Sequence, residues 1–231
     1  MLNIARNLEP GQIFFYSNQI VCQTRICIFV NMTDIKNLLF NINIPGDKPA
    51  AGQLLIAEPF LRDRYFTHSV ICLIEYEEYG TAMGIVMNHS TNYTLQELIS
   101  EISIDEPVRV YCGGPMSCDR LYYIHTLDDI IPGGREIRPG LYIGGDYNKM
   151  IEYVNSGYPI EGCIRFFIGY SGWSRRQLDD ELMSNTWVVT PSPNGTELLT
   201  GDDDSYWHAA VRRAGENFRG WLYHPINLHS N

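Results

Sequence analysis

The residue with the plainest claim to chemistry is Ser171, set between glycines in Gly169-Tyr170-Ser171-Gly172-Trp173. A mostly apolar run ends there, and a charged, helix-patterned segment begins at Ser174. Hydrolases expose a nucleophilic serine on such a strand-to-helix turn when the pattern is Gly-x-Ser-x-Gly, because both glycines let neighbouring backbone pass close to the hydroxyl. In this chain the second glycine comes one residue early and Trp173 fills its place, so an indole obstructs that approach. No local motif supplies a general base; only the fold could bring His68, His125 or His208 to the serine. The reading is a structural turn, and no catalytic residue is assigned.

Two further glycine pairs follow strand-like runs, Gly113-Gly114 and Gly144-Gly145. Paired glycines accept positive φ and let a ligand or a second backbone come close. Neither phosphate-loop pattern, Gly-x-x-x-x-Gly-Lys-Ser/Thr or Gly-x-Gly-x-x-Gly, is present. A ligand-binding reading groups Gly113, Gly114, Gly144, Gly145, Tyr170, Ser171 and Gly172 with Arg175 and Arg176. Those arginines open the next helix, whose free N–H groups could face a carboxylate or phosphate. Tight turns in a compact fold are the competing reading, and the residue types favour it. No metal site and no cofactor are expected. Asp202-Asp203-Asp204 lacks the spacing of a calcium loop and reads as a solvated acidic turn leading into a helix.

The bulk composition narrows the partners. Against 27 acidic residues stand 17 Lys and Arg, a net charge of −10, which argues against direct nucleic-acid contact. Cysteines at 22, 27, 72, 112, 118 and 163 form no Cys-x-x-Cys pair. Cys72 and Cys163 lie in apolar runs, as reduced core thiols do, which implies a cytoplasmic setting. No segment approaches the roughly 18–20 apolar residues that span a bilayer, so no membrane association is expected.

These candidate residues need elements to position them. From Gly52 onward, short β-branched and aromatic runs recur between Gly, Pro and polar residues: "GQLLIAEP", "SVICLIEY", "AMGIVMN", "VRVYC", "RLYYIHT", "GLYIGG", "CIRFFIGY" and "TWVVT". Helices interleave with them. Thr94 and Glu97 have capping-box spacing ahead of Leu95, Leu98, Ile99 and Ile102. Asp146 caps a helix ended by Gly157, and Ser174 with Gln177 starts another. Asp204 or Ser205 opens a last helix that stops at Gly215. Strands outnumber helices without βαβ alternation, which predicts an α+β fold. Residues 1–31 lack periodicity and differ in composition from the rest; they read as an N-terminal extension ahead of a natural start at Met32, with 32–231 as one domain. Intact mass of the native protein tests that start.

The segments quoted above, with "YCGGPM", "GLYIGGD" and "RFFIGYSGWSRRQLDDELMSNTWVV", resemble the AlgH/YqgE family of bacterial proteins, in order from about Gly52 to Trp207. The family often has His where Tyr76 stands and commonly Ala where Ser171 stands. The resemblance implies an α+β fold with a strongly coiled, barrel-like, mostly antiparallel or mixed sheet and several flanking helices. The family is generally described as uncharacterised, sometimes labelled a transcriptional regulator, and it offers no established catalytic residues to carry over. The expectation is a non-enzymatic cytoplasmic protein that binds a protein or small-molecule partner, any regulation passing through that partner. The alternative is a hydrolase or a phosphate- or anion-handling enzyme working from the glycine turns.

Overall fold

The computed structural model describes residues 48–223, together with the backbone of three short upstream strands. Those strands, β1 (Phe14–Tyr16), β2 (Gln19–Val21) and β3 (Val30–Asn31), pair antiparallel in the unit Met1–Ile44. The expected start at Met32 lies outside the described residues. Everything below concerns the unit from Pro45 onward.

Ten strands make one curled, mostly antiparallel sheet. They are β4 (Leu54–Ala57), β5 (Val70–Tyr76), β6 (Ala82–Val86), β7 (Ser90–Thr94) and β8 (Arg109–Cys112). After them come β9 (Met116–His125), β10 (Arg135–Arg138), β11 (Leu141–Ile143), β12 (Ile164–Trp173) and β13 (Trp187–Thr190). The order runs β10-β11-β9-β12-β6-β5-β4-β13, with β7 and β8 joined to β12. Among the described residues only β8 and β12 pair in parallel. The helices are α1 (Leu95–Leu98), α2 (Tyr147–Asn155), α3 (Gln177–Met183), α4 (Gly195–Leu198) and α5 (Asp203–Ala214), followed by a 3-10 segment (Glu216–Tyr223). The α+β expectation and the curled sheet hold.

Strand β12 joins the two halves of the sheet. Its first half pairs with β9 and β8, Phe166 lying opposite Tyr123 and Val110. A bulge follows at Gly169, and Ser171 to Trp173 then pair with β6. The strand therefore feeds two cores. Ile164 and Phe166 enter one, with Val110, Tyr123, Met150 and Val154. Trp173 enters the other, with Leu73, Leu178, Trp187 and Val189. Because side chains alternate along a strand, Arg165 and Phe167 leave the opposite face from Ile164 and Phe166. They are buried there as well, Arg165 to 4 % exposure.

Several local readings change. The segment Gly169–Trp173 stays in the strand, so in place of the turn expected at Ser171 there is a bulge at Gly169 and paired strand after it. Helix α3 starts at Gln177, not just after Ser174, because Arg176 takes a left-handed φ of 65°. The Gln177 side chain still reaches back to the Ser174 N–H at 3.1 Å. Helix α1 is one turn long, so Leu98 is left exposed while Leu95, Ile99 and Ile102 are buried. Two of the caps read from sequence are present, Glu97 accepting the Thr94 N–H at 2.7 Å and Asp146 that of Lys149 at 3.0 Å, whereas α5 starts at Asp203 behind Asp202 and not at Asp204 or Ser205.

Candidate functional site

The glycine turns separate into three places. Gly113-Gly114 meets the β12 bulge at backbone distance: a Cβ on Gly113 would lie 2.3 Å from the Gly169 carbonyl, and one on Gly114 2.4 Å from the Tyr170 carbonyl. The glycines are therefore required by another stretch of this same chain. Ser171 is fully buried between them and donates to the Gly113 carbonyl at 3.2 Å. Tyr170 packs edge-on against Tyr122, and Gly172 is exposed beside it. Gly144 and Gly145 lie apart from this contact. Their carbonyls accept from His125 Nε2 and the Tyr123 hydroxyl, both at 2.8 Å. Arg175 and Arg176 lie at the β5–β6 hairpin, where Arg175 donates to the Tyr79 carbonyl and Arg176 lies over the Tyr79 ring.

The histidine at the second turn is set in one tautomer. His125 Nε2 donates to Gly144, while Nδ1 accepts the Leu127 N–H at 3.1 Å. Burial holds its pKa below the ordinary histidine value, and the Gly144 bond opposes that only in part. A proton on Nδ1 would displace a backbone donor.

The acidic run leads into α5 as expected, with Asp203 exposed, and its side chains also form a clamp. Asp202 pairs with Arg109, Asp203 accepts the Ser90 hydroxyl at 2.9 Å, and Asp204 accepts from His68 Nδ1 at 2.8 Å. His68 stacks on Trp207 with ring centroids 4.2 Å apart. Buried Asn88 adds a backbone tie, donating to the carbonyls of His68 and Asp203. Among the described residues no group of three or more His, Cys, Asp or Glu is placed to hold a metal ion.

Beside this clamp opens a cleft of about 710 Å³. Its floor carries Arg165, whose Nη1 donates to the Met87 carbonyl at 2.7 Å. Nη2 donates to those of Leu199 and Gly201 at 3.0 and 2.6 Å. The guanidinium lies 4.3 Å from the Tyr111 ring centre, a cation–π distance. A guanidinium has five N–H donors, so two are left, and no other hydrogen bond or ion pair takes them among the described residues. The walls are Ile104, Val108, Pro159 and Ile160, with Tyr158 exposed at the mouth and stacked on Tyr153. Arg109, Glu106, Glu161 and Asp202 supply the remaining charge.

A family model described as AlgH-like matches residues 54–219, the stretch that carries both the sheet and this cleft. The chain belongs to the AlgH-like family. It is 38 % identical over 201 residues to a UPF0301 protein of Parabacteroides distasonis, covering 87 % of this chain and all of that one. A UPF0301 protein of Bacteroides thetaiotaomicron is 38 % identical over 192 residues, 83 % of this chain and 96 % of the relative. In fold the chain is similar to the solution structure of the AlgH protein from Pseudomonas aeruginosa, with TM-score 0.59 and 24 % identity. That match covers 79 % of this chain and 98 % of the other. A Corynebacterium diphtheriae protein, DIP2367, aligns equally well at TM-score 0.59 and 22 % identity, over 79 % and 96 % of the two chains.

For this AlgH-like chain, sequence reasoning missed Arg165. The signal was there, a charge inside the apolar run "CIRFFIGY". Its partners were not legible, because Met87, Leu199 and Gly201 lie far away along the chain. Among the described residues no helix is long and apolar enough to cross a membrane.

Proposed function

We propose that this AlgH-like protein binds a small metabolite bearing a carboxylate or phosphate group in the Arg165 cleft and acts as a binding or regulatory protein. Arg165 carries the reading. Burying a charge without a counter-charge is costly, and carbonyl dipoles with an aromatic face offset only part of that cost. Arg165 is 4 % exposed and has no carboxylate partner among the described residues, so a ligand anion would complete its environment. The cleft also has the size of a metabolite site. Chemistry at the glycine turns has less support, since the Ser171 hydroxyl and the carbonyls of Gly113, Gly144 and Gly145 are engaged within the fold. Any effect on transcription passes through the ligand or a protein partner, given the net charge of −10. The setting proposed is the cytoplasm, where free thiols such as Cys72 stay reduced.

The test is thermal unfolding of the whole chain against a panel of carboxylate and phosphate metabolites. A ligand at 100 times its Kd raises stability by about 2.7 kcal/mol. Amide shifts of Val108–Tyr111, Tyr158–Arg165 and Leu199–Asp202 should locate it. A panel with no stabilising member, or shifts confined to other regions, sinks the proposal.

A further inference from the structure

The charges of the cleft narrow the ligand class. Two cations, Arg109 and Arg165, face three carboxylates, Glu106, Glu161 and Asp202. Asp202 cancels Arg109 as an ion pair. Arg165 then remains with Glu106 and Glu161, neither of which pairs with a Lys or Arg among the described residues. The balance left for a ligand is one buried cation and two open carboxylates. A phosphate dianion gains from the first and is repelled by both of the others. At an effective dielectric of about 20, a unit-charge pair is worth roughly 4 kcal/mol at a contact distance of about 4 Å and roughly 2 kcal/mol at about 8 Å, so two repulsions at the longer distance offset the one attraction.

We infer that the ligand is a zwitterion, a monocarboxylate bearing an amino group, of the class of free α-amino acids and short peptides. This rests on the proposed reading of the cleft as a ligand site. The spacing agrees with it. Gly201 presents its carbonyl to Arg165 Nη2 at 2.6 Å and its N–H to Glu161 Oε1 at 3.5 Å. The Arg165 guanidinium and the Glu161 carboxylate thus flank a single residue, the reach of a molecule whose own charges are a few bonds apart. An unused Arg165 donor would take the ligand carboxylate, and Glu161 with Glu106 would take the ammonium. Walls of Ile104, Val108, Pro159 and Ile160 with the Tyr111 ring favour an apolar or aromatic side chain.

Amide chemical-shift titration of the whole chain with defined probes tests this. The probes are phenylalanine, leucine and the dipeptide leucyl-phenylalanine, their N-acetyl forms, inorganic phosphate and AMP. The zwitterions should shift the cleft amides, and N-acetylation should weaken each by about twofold to fivefold, the loss of one ion pair to an exposed carboxylate. Glu161→Gln, an exposed position, should weaken the zwitterions and leave the N-acetyl forms unchanged. N-acetyl forms binding as tightly as the zwitterions, or phosphate or AMP displacing them at equal concentration, would overturn the inference and leave the anion-binding cleft standing. Failure of every carboxylate and phosphate probe to shift those amides would remove both.

Discussion

Glu181 should hold two tryptophans in place, and its removal is the sharpest test of how the β12–α3 block works. One of its oxygens, Oε2, accepts the indole N–H of Trp173 and that of Trp187, both at 2.7 Å. The other accepts the Gln177 amide at 2.9 Å. Trp173 and Trp187 are 5 % and 3 % exposed and pack edge to face at 6.2 Å. A hydrogen bond to a charged group contributes about 1.5–3 kcal/mol, and a buried donor left without an acceptor costs about 1–3 kcal/mol. Glu181→Ala should therefore destabilise by about 3–5 kcal/mol. Glu181→Gln keeps an oxygen with two lone pairs but loses the charge, which roughly halves the strength of each bond, so its cost should be about 1–2 kcal/mol. Urea unfolding followed by tryptophan fluorescence measures both. A double-mutant cycle with Trp187→Phe should give a coupling of about 1–2 kcal/mol. An alanine variant within about 0.5 kcal/mol of the parent would refute the reasoning, as would a glutamine variant no better than alanine.

Other substitutions separate the glycines that matter from those that do not. Gly169→Ala should cost about 3 kcal/mol or more, since its φ is 72° and a Cβ would lie 2.5 Å from the Gly114 carbonyl. Gly172→Ala should stay within about 1 kcal/mol, because the nearest atom to its Cβ is a Tyr170 ring carbon at 3.2 Å; denaturant midpoints of the pair decide. Trp173→Ala should cost about 3–5 kcal/mol as a large-to-small core change, whereas Ser171→Ala loses one long hydrogen bond and should cost about 1 kcal/mol or less. Stability should also fall on acidification. Burial lowers the folded-state pKa of His125 and His89 below 6.5, so the unfolded chain takes up protons first. Their contribution is complete above about pH 6.5 and is lost as pH falls through that value toward the folded pKa. Unfolding midpoints at pH 7.5 and 5.5 should show it, and His125→Asn should flatten the slope; an unchanged slope contradicts the assignment.

Most strands and two helix starts were legible because their signals are local. The runs around Leu54–Ala57, Val70–Tyr76 and Trp187–Thr190 carry β-branched and aromatic residues between turn residues, and Thr94 and Asp146 find their partners three residues on. The β12 bulge was not legible in this way. Gly169-Tyr170-Ser171-Gly172 has the composition of a turn, and it stays extended because Gly113-Gly114 packs into it from 50 or more residues away. Strands β7 and β10 were missed for a related reason, since "STNYT" and "REIR" are polar edge sequences that pair only once their neighbours exist. The partners of the aspartate run were hidden by the same token. Ser90, His68 and Arg109 give Asp203, Asp204 and Asp202 their partners, and no local pattern announces them.

Arg165 links the cleft to the rest of the fold through a division of its donors. Three N–H groups fix the carbonyls of Met87, Leu199 and Gly201. Residues 199–201 lead straight into the clamp, where Asn88, the neighbour of Met87, ties the Asp203 backbone, and His68 and Ser90 take the next carboxylates. The clamp in turn starts α5, whose Trp207 donates its indole N–H to the Ala57 carbonyl of β4 at 3.0 Å. A ligand that takes a remaining donor of Arg165 therefore acts on a residue that also sets the path into α5. In the proposed binding role, energy spent at Arg165 bears on the backbone of residues 199–201 that leads into α5, a physical route from an occupied cleft to that helix.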